Sequence, residues 1–578
     1  MSRRSSRIVA APPRPTAPAA PVPLTHPAHA LAILVAVACV IVSVSFRMYD
    51  LDVWQHLVFG KAMAMLGEVP RTQLWTWPDR GAPIANPSWG FSWAVWPFWS
   101  WGGAWGLALW RVLTTLVTFV LAYLTARRLG ARGVVTLLAI VVCALVARSR
   151  SQVRPETLAA VWLALVPFLL HGVRRPLVRD VGLLVVALAW ANSHVSWWLG
   201  PLLVVLHALA LARSRERRGD ATRLALVALA MVALAALNPF GLEGMLRPFR
   251  FAVTWRHDAF LAGISELQPI DWASHVADGL PLVLLGWPLL ALARMRRQGF
   301  DVEETLVCVL FTALALQGSR FVAPYAIVAA PWCARDLDAW MADRRTGFAR
   351  ASAWTQGLVV ALVMPLACAW EWTHFEGRLG VTPDLRRAPV AACDFMQAHD
   401  VRGRMLNDFF LGGYLLWRFW PDSTRAPYMD IHPEDTPAPR REAVLAAFTS
   451  RRGFEALDAR ERFDQVLLSR SPLPRAGLAD LLDRERDWAL VHVDDATALY
   501  LRRDGSCAAV ADSFAYPVLP GGALALAELR TACAQDTALA RQVWGELERQ
   551  RASSRAHARF DDLRAVCATS LGIPFVRE

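Results

Sequence analysis

Charged residues are scarce in this chain of 578 residues, and lysine is almost absent. Asp, Glu, Lys and Arg together make up 19% of the residues, whereas a soluble globular domain usually has about 25%. Hydrophobic residues make up 55%, which excludes an ordinary soluble domain and favours a membrane protein. Lys61 is the single lysine, so no arginine is distinctive merely for replacing one. The net charge of +12 is therefore better interpreted loop by loop, as membrane topology, than as a nucleic-acid-binding surface.

Long hydrophobic stretches recur between residues 30 and 372. A membrane-spanning helix needs about 20 apolar residues, and this measure predicts about eleven spans. They lie at 30–47, 103–125, 132–148, 155–172, 177–192, 195–212, 221–237, 277–294, 302–318, 320–336 and 353–371. Residues 1–29 are basic and rich in Pro and Ala, which predicts a disordered cytoplasmic N-terminus.

Arginines concentrate in every second loop between the predicted spans. They lie near the N-terminus and around 127–132, 174–179, 213–218, 294–297 and 344–345. Because short Arg-rich loops face the cytoplasm, the chain after residue 372 is predicted to be extracytoplasmic. We therefore expect a multi-pass membrane protein with a cytoplasmic N-terminus. Its outer loops would be 47–102, 148–154, 193–195, 238–276 and the turn at 319.

Unusual polar residues gather on this predicted outer side. Ionisable groups at the rim of a membrane helix are costly to desolvate, so they indicate a functional site. The group comprises Asp50, Asp52, Arg148, Arg150, Arg154, Glu156, Asn192, His194, Asn238, Glu266 and Arg320. Their common side predicts a pocket at the outer membrane surface. The tryptophan-rich loop 47–102 is expected to carry two helices, at 53–66 and 88–101, lying in the plane of the membrane.

Downstream of residue 383, short helices alternate with strands. Strands are predicted at 404–407, 426–430 and 465–468, followed by a hairpin of 488–493 and 496–501. This alternation predicts a small extracytoplasmic α/β domain at 383–505, followed by a mostly helical tail at 506–578. The region has no glycine-rich phosphate loop and no GxSxG motif, so no independent active site is predicted there. Disulfides can persist outside the cytoplasm, and the sequence leaves the pairing open among Cys393, Cys507, Cys533 and Cys567.

Several short motifs resemble those of a known family. They are Asp50–Leu57 (DLDVWQHL), Val69–Thr72 (VPRT), Trp190–His194 (WANSH), Asn238–Gly241 (NPFG), Ser265–Pro269 (SELQP) and Ser319–Pro324 (SRFVAP). With these motifs the chain resembles the GT-C superclass of polytopic glycosyltransferases, in particular bacterial proteins with a dolichyl-phosphate-mannose protein mannosyltransferase-like core. Asn407–Trp417 (NDFFLGGYLLW), with Asp430, is similar to the appended domain of such proteins. Gln55 stands where the family pattern has a second aromatic residue after Trp54.

The resemblance implies a mainly α fold, with a GT-C-like transmembrane region at 30–372. It also implies a location in the bacterial inner membrane and a hexosyl transfer reaction outside the cytoplasm. Enzymes of this superclass pass a sugar from a polyprenyl-phosphate carrier to an acceptor, with an aspartate of the first outer loop as the base. That role falls on Asp50 or Asp52. A carboxylate within about 3 Å can take the proton of the attacking hydroxyl. The leaving lipid phosphate needs positive charge, for which the candidates are Arg148, Arg154 and Arg320.

Further candidate substrate-binding residues are His56, Asn192, His194 and Glu266. An Asp-x-Asp pair can bind a divalent ion, but two carboxylates alone make an incomplete site, so neither a metal nor a cofactor is predicted. The expected partners are a lipid-linked sugar donor and a glycan, lipid or protein acceptor, without nucleic acid.

Two other functions stay open at this stage. A transporter or flippase of lipid-linked glycans often has repeated halves and ionisable residues at mid-membrane, whereas here those residues gather at one face. A non-catalytic scaffold of the cell envelope would not need Asp50 or Asp52, Glu266 and Arg320 to meet in one cavity.

Overall fold

The computed structural model describes residues 25–262, 268–343, 347–375, 377–470, 477–554 and 557–576, and its elements are mostly α-helices, as predicted. The helices of the N-terminal part are α1 (Pro27–Ser43), α2 (Asp52–Leu66), α3 (Trp89–Arg128), α4 (Thr136–Ala147), α5 (Pro155–Gly172), α6 (Pro176–Ala191), α7 (Leu199–Ala212), α8 (Arg218–Leu234), α9 (Gly241–Val253), α10 (Ala259–Ala262), α11 (Leu280–Gln298), α12 (Val302–Gln317), α13 (Val322–Asp343), α14 (Gly347–Arg350) and α15 (Ala353–His374).

The C-terminal part adds shorter helices and a sheet. The helices are α16 (Val390–Ala398), α17 (Phe409–Phe419), α18 (Ala438–Thr449), α19 (Arg451–Glu461), α20 (Leu478–Leu482), α21 (Ala508–Phe514), α22 (Ala523–Cys533), α23 (Thr537–Ser553) and α24 (Asp561–Leu571). The strands are β1 (Met405–Asn407), β2 (Gln465–Ser469), β3 (Trp488–Val493) and β4 (Thr497–Arg502), in the order β1-β2-β4-β3. β1 and β2 are parallel, and the other two pairs are antiparallel.

Helices occupy every position predicted as a membrane span, but the number of crossings is not confirmed. Within the described residues, four helices are long and apolar enough to cross a membrane: Trp89–Arg128, Pro155–Gly172, Val195–Ala212 and Ala353–His374. Others are shorter. α4 has 12 residues, which makes it roughly 18 Å long, against a hydrocarbon core of about 30 Å.

A glycine divides the longest helix. Gly103 in α3 has φ 53° and ψ −129°, a conformation that favours glycine, and the helix bends there. The bend separates the tryptophan-rich segment from the apolar remainder of α3. It falls at the boundary predicted between the helix at 88–101 and the span at 103–125.

The helix bundle packs through small side chains. α1 lies against α15, α4 against α13, and α3 against α5. Ala32 in α1 and Ala326, Ala329 and Ala330 in α13 are fully buried. Alanines at such contacts allow close backbone approach, which is how helices associate where the hydrophobic effect no longer drives them together.

The predicted strand at 426–430 is wrong, whereas the other predicted strands are present. The backbone N–H of Tyr428 donates to Asn407 Oδ1 at 2.7 Å, and Asn407 Nδ2 donates to the carbonyl of Met429 at 2.9 Å. The segment is therefore held by one buried side chain instead of by a neighbouring strand.

The C-terminal part shares a hydrophobic core with loop 47–102. α17 packs on α2, where Trp54 meets Tyr414 edge-on at 5.4 Å between ring centroids, and both belong to one buried cluster. A Cβ atom at Gly413 would lie 3.3 Å from Cβ of Gln55. The absence of a side chain at Gly413 thus permits the close approach of α17 to α2.

All nine cysteines are buried and free, so none of those with open pairing forms a disulfide in this structure. The thiols of Cys533 and Cys567, on α22 and α24, nevertheless lie within hydrogen-bonding reach of each other.

Candidate active site

A cavity of about 1310 Å³ lies between the helix bundle and the C-terminal part. Its apolar part is lined by side chains of the bundle, including Phe119, Ala144, Leu163 and Ile327. Its polar part is lined by most of the ionisable residues predicted to gather on the outer side: Asp50, Asp52, Arg148, Arg150, Arg154, Glu156, His194 and Arg320. Residues separated by up to 270 positions in the sequence therefore meet in one chamber.

Asp50 and Asp52, in loop 47–102, both contact one arginine. Arg154 Nη1 donates to Asp50 Oδ2 and Arg154 Nη2 lies next to Asp52 Oδ2, both at 3.0 Å. Asp50 Oδ1 also accepts the backbone N–H of Asp52 at 2.9 Å, which fixes the turn into α2. Glu156 Oε2 lies 3.7 Å from Arg154 Nε. Three carboxylates thus surround one guanidinium, and the group has an excess of negative charge when all are ionised.

Local structure explains why these residues face each other. Asp52 is the first residue of α2, where the positive end of the helix dipole stabilises a carboxylate. Arg154 immediately precedes α5, and Pro155 begins that helix. The starts of α2 and α5 lie next to each other, so Arg154, just before α5, can pair with the aspartates at the start of α2.

His194 lines the same cavity through a tight turn. Its Nδ1 accepts the backbone N–H of Ser196 at 3.1 Å and lies 2.6 Å from Ser196 Oγ. Because Nδ1 is an acceptor, the ring proton is placed on Nε2. His194 is therefore oriented as a hydrogen-bond donor in the cavity wall.

Arg148 lines the cavity, but most of its contacts are with residues of the helix bundle and the segment that follows it. Its guanidinium forms an ion pair with Glu371 and lies 3.4 Å from the ring centroid of Phe375. The side chain is 2% exposed. Among the described residues its Nε and Nη2 have no hydrogen-bond partner, so part of its donor capacity is left.

Arg320 lies in the short turn Ser319–Phe321 between α12 and α13. Its guanidinium carbon is 5.2 Å from the ring centroid of Phe251, and its side chain lines the cavity. Glu266, the acid predicted to accompany it, lies outside the described residues.

The structure does not bring Asn192 and His56 to the cavity wall. Asn192 ties helix ends together, since its Nδ2 donates to the carbonyls of Leu188 and Leu237 and its Oδ1 accepts from Trp89 Nε1. His56 is buried, with Nδ1 3.1 Å from Ser92 Oγ. Burial, reinforced by nearby positive charge, holds the pKa of His56 well below its usual range. Their roles as substrate ligands stay predictions.

The C-terminal part contributes basic residues to the cavity that the sequence did not reveal. Arg387, Arg470 and Arg559 line it. Arg470 donates to the carbonyls of Asp494 and Gly521, and burial together with nearby Arg559 lowers its pKa to about 10. Burial also lowers the pKa of Arg559. These two guanidiniums give the polar part of the cavity a positive region apart from the aspartates.

Arg247, on α9, is a further residue that was missed. It is 3% exposed and pairs with Asp435 at 2.5 Å, which links α9, in the predicted outer loop 238–276, to the C-terminal part. The position of Arg247 in that predicted outer loop was a usable signal. For Arg470 and Arg559 the chain offered none, because they belong neither to a hydrophobic span nor to a motif.

Comparison with known proteins identifies the fold. No protein-family model matches the chain, and no curated protein matches it. The oligosaccharyltransferase AglB from Archaeoglobus fulgidus, in complex with an inhibitory peptide and a dolichol-phosphate, is similar with a TM-score of 0.54 and 11% identity, over 76% of this chain and 69% of AglB. An oligosaccharyltransferase from Archaeoglobus fulgidus in the apo form gives a TM-score of 0.53 at 12% identity, over 76% of this chain and 69% of that protein. The fold is GT-C-like.

ArnT from Cupriavidus metallidurans, bound to undecaprenyl phosphate, is a further similar structure, with a TM-score of 0.49 and 15% identity over 84% of this chain and 99% of ArnT. Identities this low establish the GT-C-like fold alone. The chemistry of this chain has to be derived from its own residues.

Proposed function

We propose that this GT-C-like protein transfers a sugar, a hexosyl group, from a polyprenyl-phosphate carrier to an acceptor outside the cytoplasm. The observation that carries the proposal is the meeting of Asp50, Asp52 and Arg154 in the wall of a cavity that is apolar in one part and basic in another. A transfer from a lipid-linked donor to a polar acceptor needs a carboxylate base, an apolar surface for the lipid and positive charge for the phosphate, all in one cavity.

Asp50 or Asp52 is proposed as the general base. The acceptor hydroxyl gives its proton to the carboxylate while its oxygen forms a bond to the anomeric carbon. The bond between that carbon and the phosphate oxygen breaks, and the bonding pair leaves with the lipid phosphate. Attack opposite to the leaving group inverts the anomeric configuration. Because the leaving phosphate is a stable anion, no general acid is required.

The donor is proposed to lie along the bundle side of the cavity. Phe119, Leu163 and Ile327 provide apolar surface suited to a polyprenyl chain. Arg154 and Arg320 are the proposed phosphate ligands, because guanidinium groups form strong charge-assisted hydrogen bonds to phosphate oxygens. Both Nη atoms of Arg154 contact Asp50 and Asp52, so Arg154 would exchange one of these contacts for the phosphate. The AglB structure that shares this fold holds a dolichol-phosphate, which is consistent with a lipid phosphate as the donor class.

The acceptor is proposed to enter from the side of the C-terminal part. Arg470 and Arg559 would bind an anionic group on it, because both guanidiniums line the cavity and are already partly shielded from water. This favours an acidic glycan, lipid or peptide over a neutral acceptor.

The protein is proposed to be a multi-pass protein of the bacterial inner membrane, with its C-terminal part outside. Cysteine labelling in intact cells tests this orientation: a cysteine introduced in loop 47–102 should react with a membrane-impermeant reagent. Protection of that cysteine in intact cells, with labelling after lysis, would contradict the whole proposal.

The central experiment incubates the purified full chain with a panel of polyprenyl-phosphate sugars and mixed acceptors. Asp50→Asn and Asp52→Asn are compared with the parent, and Asp512→Asn, at a largely exposed side chain on α21, is the matched control. Loss of the base should lower the transfer rate by about 10²–10⁴-fold in one of the two variants. Parent turnover that both variants retain would remove the proposed base, and movement of intact lipid-linked sugar without transfer would favour a flippase.

A further inference from the structure

Three side chains from separate helices converge inside the bundle, away from the cavity. His171 lies near the end of α5, His207 lies in α7 and Glu303 lies near the start of α12. His171 Nε2 is 2.9 Å from Glu303 Oε1, and His207 Nδ1 is 2.7 Å from Glu303 Oε2. The three side chains are 9–14% exposed.

The cluster is remote from the proposed active site. Glu303 and the cavity residue Gln317 lie near opposite ends of α12, about 14 residues or roughly 21 Å apart along the helix. His171 is separated from the cavity residue Glu156 by a similar length of α5. The cluster therefore belongs to the other end of the bundle, the end predicted to face the cytoplasm.

We propose that His171, His207 and Glu303 form a binding site for a divalent transition-metal ion, with Zn²⁺ as the best match. Two imidazoles and one carboxylate are a known zinc ligand set that leaves a fourth position for water or another ligand. One ligand atom from each of the three residues lies within 4.8 Å of the others. A tetrahedral zinc ion with bonds of about 2.0–2.1 Å holds its ligand atoms roughly 3.4 Å apart.

Small movements are enough to admit the ion. The histidines now contact different carboxylate oxygens of Glu303, at 2.9 and 2.7 Å, and either contact would widen by about 0.5–0.7 Å if its oxygen binds the ion. The two imidazole rings are perpendicular, with centroids 5.0 Å apart, so their edges already point at different sides of Glu303. The bound ion would connect α5, α7 and α12, which are held in this region by side-chain contacts.

The alternative is a purely hydrogen-bonded clamp in which Glu303 accepts from both histidines without an ion. Such a clamp satisfies the same three side chains, so the two cases differ in metal content and in the response to added zinc. They also differ at Glu303→Gln, because a glutamine carbonyl still accepts a hydrogen bond from a histidine but is a far weaker metal ligand.

The test uses the full chain, free of any affinity tag, purified in detergent and stripped with a chelator. After dialysis against ZnCl₂ we expect one zinc ion per chain by elemental analysis, and a rise in the thermal unfolding temperature on zinc addition. His171→Ala and His207→Ala should lose this zinc, and Glu303→Gln should weaken binding by more than about tenfold. His374→Ala, which removes an exposed histidine at the end of α15, is the matched control and should keep the zinc.

Two outcomes would overturn the inference. One is a stripped parent that stays folded but takes up no zinc. The other is zinc binding that persists unchanged in Glu303→Gln and in both histidine variants. If the alanine variants do not fold, Glu303→Gln alone decides, since its carbonyl oxygen can still accept from one histidine and its NH2 group can donate to the acceptor nitrogen of the other. Neither readout depends on the proposed transfer activity.

Discussion

Removing the guanidinium between the aspartates should uncover a measurable repulsion. In the parent, Arg154 contacts Asp50 and Asp52 at 3.0 Å each, and the three side chains are 24%, 15% and 23% exposed. Arg154→Gln removes the guanidinium that contacts these two carboxylates and lies near Glu156. Glutamine can still donate one hydrogen bond, so the main change is electrostatic.

The magnitude follows from Coulomb's law. For partly exposed groups about 4 Å apart the effective dielectric lies between 20 and 80, so each pair contributes roughly 1–4 kcal/mol. Losing two attractive pairs, with partial relief by water, should lower the free energy of unfolding by about 2–4 kcal/mol. Arg154→Gln should also slow transfer, because one proposed phosphate ligand is gone.

A second substitution makes the prediction specific. In Asp50→Asn/Arg154→Gln one of the uncompensated carboxylates is removed, so about 1–2 kcal/mol of the lost stability should return. Thermal or denaturant unfolding in detergent measures both variants. Arg451→Gln, an exposed arginine on α19 that pairs with Glu455, controls for the charge change alone. A double variant as unstable as the sum of its two single variants would refute the electrostatic reasoning.

Three further predictions concern other parts of the chain. Burial lowers the pKa of His56, so below about pH 6.5 the unfolded chain binds a proton there that the folded chain does not. The parent should therefore lose about 1 kcal/mol of stability between pH 6.5 and 5.5 relative to His56→Gln. Equal pH dependence of the free energy of unfolding in the two proteins would disprove this. A Cβ atom at Gly412 would lie 2.4 Å from the carbonyl oxygen of Met429, so Gly412→Ala should destabilise the protein by about 1–3 kcal/mol in the same experiment, whereas unchanged stability would contradict the packing. In an oxidising compartment Cys533 and Cys567 should form a disulfide that stabilises the fold by about 3–4 kcal/mol. Mass spectrometry without reduction detects it. Free thiols at both positions in protein isolated from cells would count against an extracytoplasmic location.

The helical framework was predictable because hydrophobic stretches of helical length carry a strong signal. Their alternation with arginine-rich loops also placed Asp50, Arg154 and Arg320 on one side, and the structure brings all three to one cavity. The hairpin predicted at 488–493 and 496–501 is found at 488–493 and 497–502, because two apolar runs flank a short acidic turn. These features depend on local pattern, which a sequence contains in full.

Other features depend on distant contacts and could not be predicted. Residues 426–430 have the composition of a strand, yet the side chain of Asn407 takes their hydrogen bonds. Asn192 belongs to a family-like motif, but three hydrogen bonds within the protein account for its amide. Arg470 reaches the cavity only because the C-terminal part docks on the bundle. In each of these cases the role of the residue depends on tertiary packing, which cannot be predicted from local composition.

The packing of α17 on α2 also has a consequence for the order of assembly. Trp54 and Leu57 are made early in synthesis, while Tyr414 and Leu415, which cover them, follow more than 350 residues later. Until then the loop that carries the paired aspartates has an unfinished apolar face. A chain that ends before residue 409 could still insert its helices, but its cavity would lack the residues that the C-terminal part contributes. Partial translation products should therefore be inactive and prone to degradation.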